Sequence, residues 1–354
     1  MKSNYRYIVK AFMAMAVIAG TTSCDDFLDR EPMSSISPET YYSTAAQLEA
    51  NLNDEYPNVL PSFGQWTYGI FGEDKGTDNQ IEVNANDRYT QDRWKVPHSE
   101  SDNWKFERIY RINFFLSEAL PKFGEDMSGS QNTISGSVAT IKHYIGEMYF
   151  LRAYEYFKKL QLFGDFPIID QPLADEMEAL REASKRFPRN EVARFIISDL
   201  DKAYAYMSDV DMATTRINKD AAMLVKSRVA LFEATWLQNF KGTAFVPGGE
   251  GWPGASLHNN YQYPSGNLDN EVKYFLEQAV EASKLVADKY KGSLTENTGV
   301  LQQSADDPSN PYFDMFAQED LSDVKEVLLW RQYARGLSTH NINAAAGRGN
   351  YRIG

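Results

Sequence analysis

Aromatic residues interleaved with amides, carboxylates and glycines occupy two segments of the 354-residue chain that show no helical periodicity. Trp and Tyr rings can stack on the apolar CH faces of sugars, while Asn, Asp and Arg side chains bond the hydroxyl groups. Binding residues concentrate on loops held by a rigid scaffold, so the two segments predict carbohydrate binding. The predicted ligand contacts are Trp66, Tyr68, Tyr89 and Trp94 within 61–97, and Trp252, Tyr261 and Tyr263 within 242–267.

A purely structural role for the same rings is the alternative interpretation. A single loop aromatic is more often packed beneath its own loop than presented to a ligand. Trp94 and Trp252 are the first candidates for stacking platforms. Arg152, by contrast, lies within an apolar helical pattern and is predicted to make a structural ion pair or helix-end bond rather than a ligand contact.

Residue patterns that would indicate catalysis are missing from the sequence. The four histidines are far apart, with no His-x-x-x-His or Cys-x-x-Cys pair, so no zinc site is predicted and no metal ligand is assigned. Asp209 and Asp211 could ligate calcium, but a solvated turn between helices is the favoured interpretation. No nucleophile elbow, P-loop or dinucleotide fingerprint occurs, and no cofactor is predicted. A binding protein is therefore favoured. The alternative enzyme is an all-helical carbohydrate-active protein that uses two of the 49 carboxylates.

The N-terminus carries the features of a bacterial export signal. Lys2, Arg6 and Lys10 precede the apolar run 11–20, and small residues lead to Cys24, the single cysteine. We expect residues 1–23 to be a signal peptide, Cys24 to be lipidated, and 24–37 to form a tether, with an ordinary cleavage site near Cys24 as the alternative. The net charge of −13 disfavours nucleic acid as a partner.

The remainder, 38–354, is predicted to be one mainly α-helical domain. Apolar residues recur at helical spacing between cap residues such as Ser37, Asn218 and Gly164. Consecutive antiparallel helix pairs predict a tetratricopeptide-like scaffold with long irregular loops, and an irregular helical domain is the alternative. The predicted helices cover about 38–56, 102–121, 134–164, 188–207, 218–236 and 269–292.

Several sequence blocks carry a family resemblance. The stretch 146–154 followed by 163–169 resembles the acid-x-x-Phe-Leu-Arg-Ala-Tyr helix and Phe-Gly-x-x-Pro turn of SusD/RagB-type outer-membrane lipoproteins of Bacteroidetes. Other matching blocks follow in the family's order, so that the resemblance covers about residues 24–335. They are 24–29, 104–113, 197–203, 221–231 and 325–330.

The resemblance implies a cell-surface lipoprotein without catalytic activity. Such a protein captures a glycan and delivers it to a TonB-dependent (SusC-like) outer-membrane transporter, while its lipidated cysteine holds it to the outer-membrane lipid. Asp25 and Asp26 resemble the family's signal for export to the outer face. Peptide or other nutrient capture by the same kind of complex is the alternative. Because family members continue well past residue 333, we expect that a C-terminal part of the fold is missing here.

Overall fold

The computed structural model shows a mainly helical protein, which confirms the predicted fold class. It describes residues 41–61, 80–82, 103–124, 126–208, 212–301, 304, 306–316, 318–333 and 351–353. Two short strands, β1 (Gln80–Glu82) and β2 (Tyr351–Ile353), pair antiparallel with Gln80 opposite Ile353. The helices are α1 (Ala45–Val59), α2 (Glu107–Phe123), α3 (Val138–Phe163), α4 (Met177–Ala183), α5 (Arg189–Tyr206), α6 (Lys219–Asn239), α7 (Leu268–Tyr290) and α8 (Pro311–Phe316).

Helix α3 is the centre of the scaffold. Helices α1, α2 and α5 pack on it, α6 packs on α5, and α7 packs on α6. The chain from α5 to α7 therefore packs each helix against the next one, while α1 and α2 both pack against α3. Of the 26 residues of α3, 17 are buried, and they cover its whole circumference. A helix that is buried on all sides is a core helix, and this arrangement of packed pairs is the expected tetratricopeptide-like scaffold. No helix among the described residues combines the length and the apolar character that a membrane span requires.

The ends of α1 and α2 differ from the prediction. Residues 41–44 are not helical, and α1 begins only at Ala45, where Thr44 and Gln47 form a reciprocal capping box. The Thr-x-x-Gln pattern satisfies two orphan N–H groups, so the predicted start near residue 38 was wrong. Helix α2 begins at Glu107 and continues through Pro121 to Phe123. The predicted stop at Pro121 was therefore wrong: the proline lacks the N–H that would bond the Ser117 carbonyl oxygen, but two further residues complete the last turn, and the Gly124 N–H bonds the Leu120 carbonyl oxygen.

Three other predicted helix ends agree more closely with the structure. The Asn218 side chain accepts a bond from the Ala221 N–H at 3.0 Å and caps α6, as predicted. Helix α3 stops at Gly164, which adopts φ +69°, a conformation that favours glycine. Asn267 rather than Asp269 caps α7, with Asp269 in the first turn. The cap residues therefore fix where the long helices begin and end.

Arg152 links three segments of the core through its guanidinium group. Its Nε and Nη2 donate to the two carboxylate oxygens of Asp199 at 2.6 and 2.8 Å, and its Nη1 donates to the side-chain oxygen of Asn113 at 2.9 Å. Burial acts to lower the pKa of Arg152, but the charge of Asp199 outweighs it and raises the pKa. The predicted structural ion pair is confirmed, and it joins α2, α3 and α5.

Candidate functional site

The structure describes three of the seven aromatic residues predicted to contact a ligand. Trp66, Tyr68, Tyr89 and Trp94 lie outside the described residues, as do Cys24 and the signal segment. Trp252, Tyr261 and Tyr263 come together in the connection between α6 and α7. The ring centroids of Trp252 and Tyr261 are 5.6 Å apart, and those of Tyr261 and Tyr263 are 5.1 Å apart.

The polar atoms of these three rings are bonded to the protein. The Trp252 Nε1–H donates to Asp165 Oδ2 at 2.7 Å, in the turn that follows α3. The Tyr261 hydroxyl donates to Asn190 Oδ1 on α5 at 3.1 Å, and the Tyr263 hydroxyl donates to the Pro247 carbonyl oxygen. The first two bonds fasten the α6–α7 connection to the ends of α3 and α5, and the third lies within the connection. We call Asp165, Asn190, Trp252, Tyr261 and Tyr263 the loop-docking cluster.

Two carboxylates organise the surroundings of this cluster. Burial raises the pKa of the Asp165 carboxyl, while bonds donated by Trp252 and by the Arg189 backbone N–H oppose that rise. Burial also acts to raise the pKa of Glu271, but bonds donated by Arg194, Asn190 and Ser265 outweigh it and lower that pKa. A third buried acid, Glu233, accepts three N–H···O bonds from the Arg189 guanidinium at 2.9 to 3.1 Å.

The loop-docking cluster is closed in this conformation. Trp252 is 5% exposed, so a sugar can stack on its face only if the α6–α7 connection opens. The role of Trp252, Tyr261 and Tyr263 as ligand contacts stays a prediction. Within the described residues, no group of three or more His, Cys, Asp or Glu side chains is placed to hold a metal ion.

An open cleft lies at the other side of the same helix end, where α1, α2 and α3 meet. It encloses a volume of about 520 Å³, large enough for one or two sugar rings. Five basic residues line it against two acidic ones, and we call it the basic cleft. Its lining consists of Asn58, Asn103, Lys105, Glu107, Arg108, Arg111, Glu155, Lys158, Lys159 and Leu162.

The last turns of α3 supply an excess of positive charge to the basic cleft. Lys158 Nζ lies 2.7 Å from Glu155 Oε2, and Lys159 Nζ lies 3.3 Å from Glu155 Oε1, so two ammonium groups share one carboxylate. Each lysine also donates to a backbone carbonyl oxygen, Lys158 to Val59 and Lys159 to Asn103. Glu155 and Lys159 are buried, which fixes the position of this charge.

Helix α2 supplies two arginines to the cleft, and they differ in their ion pairing. Arg111 is bound to both Asp54 and Glu55 of α1, so its charge is neutralised locally. Burial raises the pKa of the Glu55 carboxyl, and the Arg111 charge opposes that rise. Arg108 lies one turn nearer the start of α2 and makes no hydrogen bond or ion pair with any residue of the described part of the chain.

Comparison with known protein families decides which family this scaffold represents. The SusD-like family model described as "Starch-binding associating with outer membrane" matches residues 26–231, more than half of the chain. The chain belongs to the SusD-like family. The resemblance of the sequence blocks to SusD/RagB-type proteins is thereby confirmed.

Curated relatives carry the same family name. SusD-like proteins P2 and P25 of Formosa agariphila are each 25% identical to this SusD-like chain, over 253 and 233 residues. The matches cover 68% and 60% of this chain, and 46% and 41% of the relatives. The chain thus spans about half the length of the curated relatives it matches. Among solved structures, a SusD-like protein from Bacteroides fragilis is 21% identical, with a TM-score of 0.41 over 60% of this chain and 39% of that one.

The basic cleft of this SusD-like chain was not predicted from its sequence. A signal was nevertheless present, because Lys105, Arg108 and Arg111 recur at steps of three residues and so share one side of the chain where α2 begins. The adjacent Lys158 and Lys159 precede the end of α3, where cations complement the helix dipole. That these two groups meet is a tertiary contact between α2 and α3, which helical spacing alone does not reveal.

Proposed function

We propose that this chain captures carbohydrate at the bacterial outer membrane and does not transform it. The match of residues 26–231 to a SusD-like family described as starch-binding and outer-membrane-associated is the observation that carries the proposal. The mainly helical scaffold with long connections supports it, because such a scaffold can present binding residues on loops. The same family membership supports a binding role over the all-helical enzyme.

The proposed anchor and partner follow from the N-terminus and the family. We propose that cleavage before Cys24 and lipidation of its thiol hold the chain to the outer membrane, with Asp25 and Asp26 favouring the outer face. Delivery of the captured glycan to a TonB-dependent, SusC-like transporter is the proposed next step. Peptide capture by the same kind of complex is the competing proposal.

Trp66, Tyr68, Tyr89 and Trp94 are the proposed stacking residues within 61–97, and Trp94 is the first to test. The buried position of Trp252 makes the α6–α7 connection a structural element first, and a ligand platform only on opening. Replacement of the two tryptophans therefore has different expected outcomes. Trp94→Ala should weaken glycan binding without lowering the melting temperature, whereas Trp252→Ala should lower the melting temperature because it empties a packed site.

The test is native gel electrophoresis of the full chain, bearing Cys24→Ser, in gels cast with a panel of host and plant polysaccharides. We expect retardation by at least one polymer and no release of reducing ends from it. Release of reducing ends would favour the enzyme. Absence of retardation by every polymer, with circular dichroism showing an intact fold, would contradict glycan capture and favour a peptide ligand.

A further inference from the structure

We propose that the basic cleft binds an anionic group, a carboxylate or a sulfate, carried by a sugar ring of the captured glycan. The inference rests on the proposed function and specifies the chemical class of its ligand. It comes from the local reversal of charge. The chain has a formal net charge of −13, yet among the described residues the lining of this cleft holds five basic and two acidic side chains. When Asp54 and Glu55 are counted as well, because they bind Arg111 without being part of the lining, the basic residues still outnumber the acidic ones by five to four.

A concave site lined by one sign of charge has a stronger field than the same charges on a flat surface. Low-dielectric walls focus the potential into the opening and raise the local concentration of counter-charged ligands. The net negative charge of the chain repels polyanions in general, so an anion attracted here is attracted by the cleft itself. The site therefore favours an isolated anionic group on a sugar over a polyanion such as nucleic acid.

The two lysines near the end of α3 are fixed in position and carry more positive charge than their shared carboxylate neutralises. Glu155 neutralises only one of the two ammonium groups, and both are fixed by bonds to backbone carbonyl oxygens. Little side-chain freedom remains to be lost when an anion arrives, which favours binding. Lys158 keeps 40% of its side chain exposed, so its ammonium can reach a bound group.

Arg108 provides the second contact of the proposed anion site. It is half-buried beside Arg111 and makes no hydrogen bond or ion pair with a described residue, whereas Asp54 and Glu55 both bind Arg111. Its charge acts on the buried Glu55 only through space, where it helps to lower the pKa of that carboxyl. A guanidinium group can donate two parallel N–H bonds to the oxygens of a carboxylate or sulfate. The start of α2 adds to this attraction, because Phe106 at the N-cap has no side-chain acceptor for the first N–H groups.

The acidic and amide residues of the cleft define the remainder of the ligand. Glu107 is exposed at the start of α2, while Glu155 is buried and bound to the lysines. Asn58 adds an amide group at the edge, whose Nδ2 donates to the Asp54 carbonyl oxygen and whose Oδ1 can accept from a sugar hydroxyl. A mixture of excess cations, an amide and enclosed volume fits an acidic sugar within a chain of neutral ones.

The experiment compares matched charged and neutral oligosaccharides on the full chain bearing Cys24→Ser. One arm uses oligogalacturonate and its carboxyl-reduced form, and the other uses κ-carrageenan oligosaccharide and its desulfated form, with affinities measured by calorimetry. The variants are Arg108→Gln, Arg108→Lys and a matched control, Arg181→Gln, on α4, where the Arg181 side chain is 71% exposed. The two arms separate a carboxylate from a sulfate.

We expect at least one charged form to bind about tenfold more tightly than its neutral counterpart, as a charge-assisted bond would give. Arg108→Gln should remove about that tenfold difference, Arg108→Lys should retain most of it, and Arg181→Gln should leave it unchanged. Equal affinity for the charged and neutral forms of both pairs would overturn the anion site while leaving glycan capture intact. If Arg108→Gln and Arg181→Gln reduced the preference for the charged form equally, the anion site would also be overturned, because the preference would then depend only on the net charge of the chain. Binding of none of the four oligosaccharides would overturn the anion site, whereas glycan capture itself fails only if no polysaccharide of the gel panel retards the chain.

Discussion

Two polar regions lie near the C-terminal end of α3, and they differ in how far their charged groups are paired within the protein. On one side, the loop-docking cluster joins Asp165 to Trp252, and the adjoining acids Glu233 and Glu271 are bonded to Arg189 and Arg194. On the other side, the basic cleft holds more bases than acids and remains open. One region fastens a connection to the scaffold, and the other is where we propose that an anionic group binds.

The contrast shows that residue type alone does not separate packing from binding. The loop-docking cluster contains the rings that the sequence suggested for a sugar platform, yet their polar atoms are bonded within the protein. Among the described residues, the lining of the basic cleft includes a single apolar residue, Leu162, and two of its lysines share the carboxylate of Glu155. Whether a polar group is already satisfied is therefore the better guide to its role.

The largest expected effect comes from breaking the buried pair behind the loop-docking cluster. Glu233 is fully buried and accepts three bonds from Arg189, whose guanidinium also lies 4.1 Å from the centre of the Trp236 ring. Glu233→Ala leaves that guanidinium buried without a carboxylate and should lower the free energy of unfolding by about 3–5 kcal/mol. Urea denaturation followed by circular dichroism measures it.

Two controls show whether the loss comes from the unpaired charge. The double variant Arg189→Met with Glu233→Leu removes both charges and should recover much of the stability. Glu182→Ala removes the acid of an exposed pair with Lys185 and should change the free energy by less than about 1 kcal/mol. A loss in Glu233→Ala no larger than that in Glu182→Ala would contradict the contrast between the two regions.

A smaller, pH-dependent effect is expected from the bond between Trp252 and Asp165. Trp252→Phe keeps a ring but removes the N–H donor, so the buried Asp165 carboxylate loses a partner. At pH 7 this substitution should lower the free energy of unfolding by about 1–3 kcal/mol. Trp236→Phe is the matched control, because its N–H donates to the uncharged Phe245 carbonyl and its cost should not depend on the ionisation of a carboxylate.

The direction of the pH dependence follows from the Asp165 pKa. Burial already raises that pKa above the ordinary value of 3.8, and loss of the Trp252 donor raises it further in the folded state. A carboxyl with a raised folded-state pKa destabilises the fold at higher pH, and this cost disappears as the pH falls through that pKa. The loss of unfolding free energy caused by Trp252→Phe should therefore be smaller at pH 4 than at pH 7. A deficit that is equal at both values, in unfolding measured by urea, would show that Asp165 does not depend on Trp252.

Local sequence patterns predicted the scaffold well because caps and periodicity act over a few residues. Asn218 and Gly164 mark helix ends in the structure as they do in the sequence. The start of α1 was misplaced because two cap patterns compete there, and the Thr44 capping box with Gln47 prevails. Pro121 failed as a stop because the one hydrogen bond that it removes does not prevent two further residues from completing the last turn, where the Gly124 N–H bonds the Leu120 carbonyl oxygen.

The candidate sites depended on contacts that sequence spacing does not contain. The bond between Trp252 and Asp165 joins residues 87 positions apart, and that between Asn190 and Tyr261 joins residues 71 apart. Neither the burial of these rings nor the meeting of Arg108 with the lysines of α3 could be read from either segment alone. Periodicity predicts which face of a helix carries a residue. Whether that residue contacts the protein or remains accessible to a ligand depends on how the helices pack.

The smallest effect on stability is expected where we propose the ligand to bind. Arg108→Gln removes a charge that makes no ion pair among the described residues, so the free energy of unfolding should change by no more than about 0.5 kcal/mol. The same variant should lose the preference for the charged oligosaccharide. Urea denaturation at pH 7, without and with ligand, separates the two effects. A decrease of 2 kcal/mol or more in the free energy of unfolding without ligand would contradict this expectation. Arg108 would then be a structural partner of the buried Glu55, whose pKa its charge helps to lower, and the basic cleft would be a structural region like the loop-docking cluster.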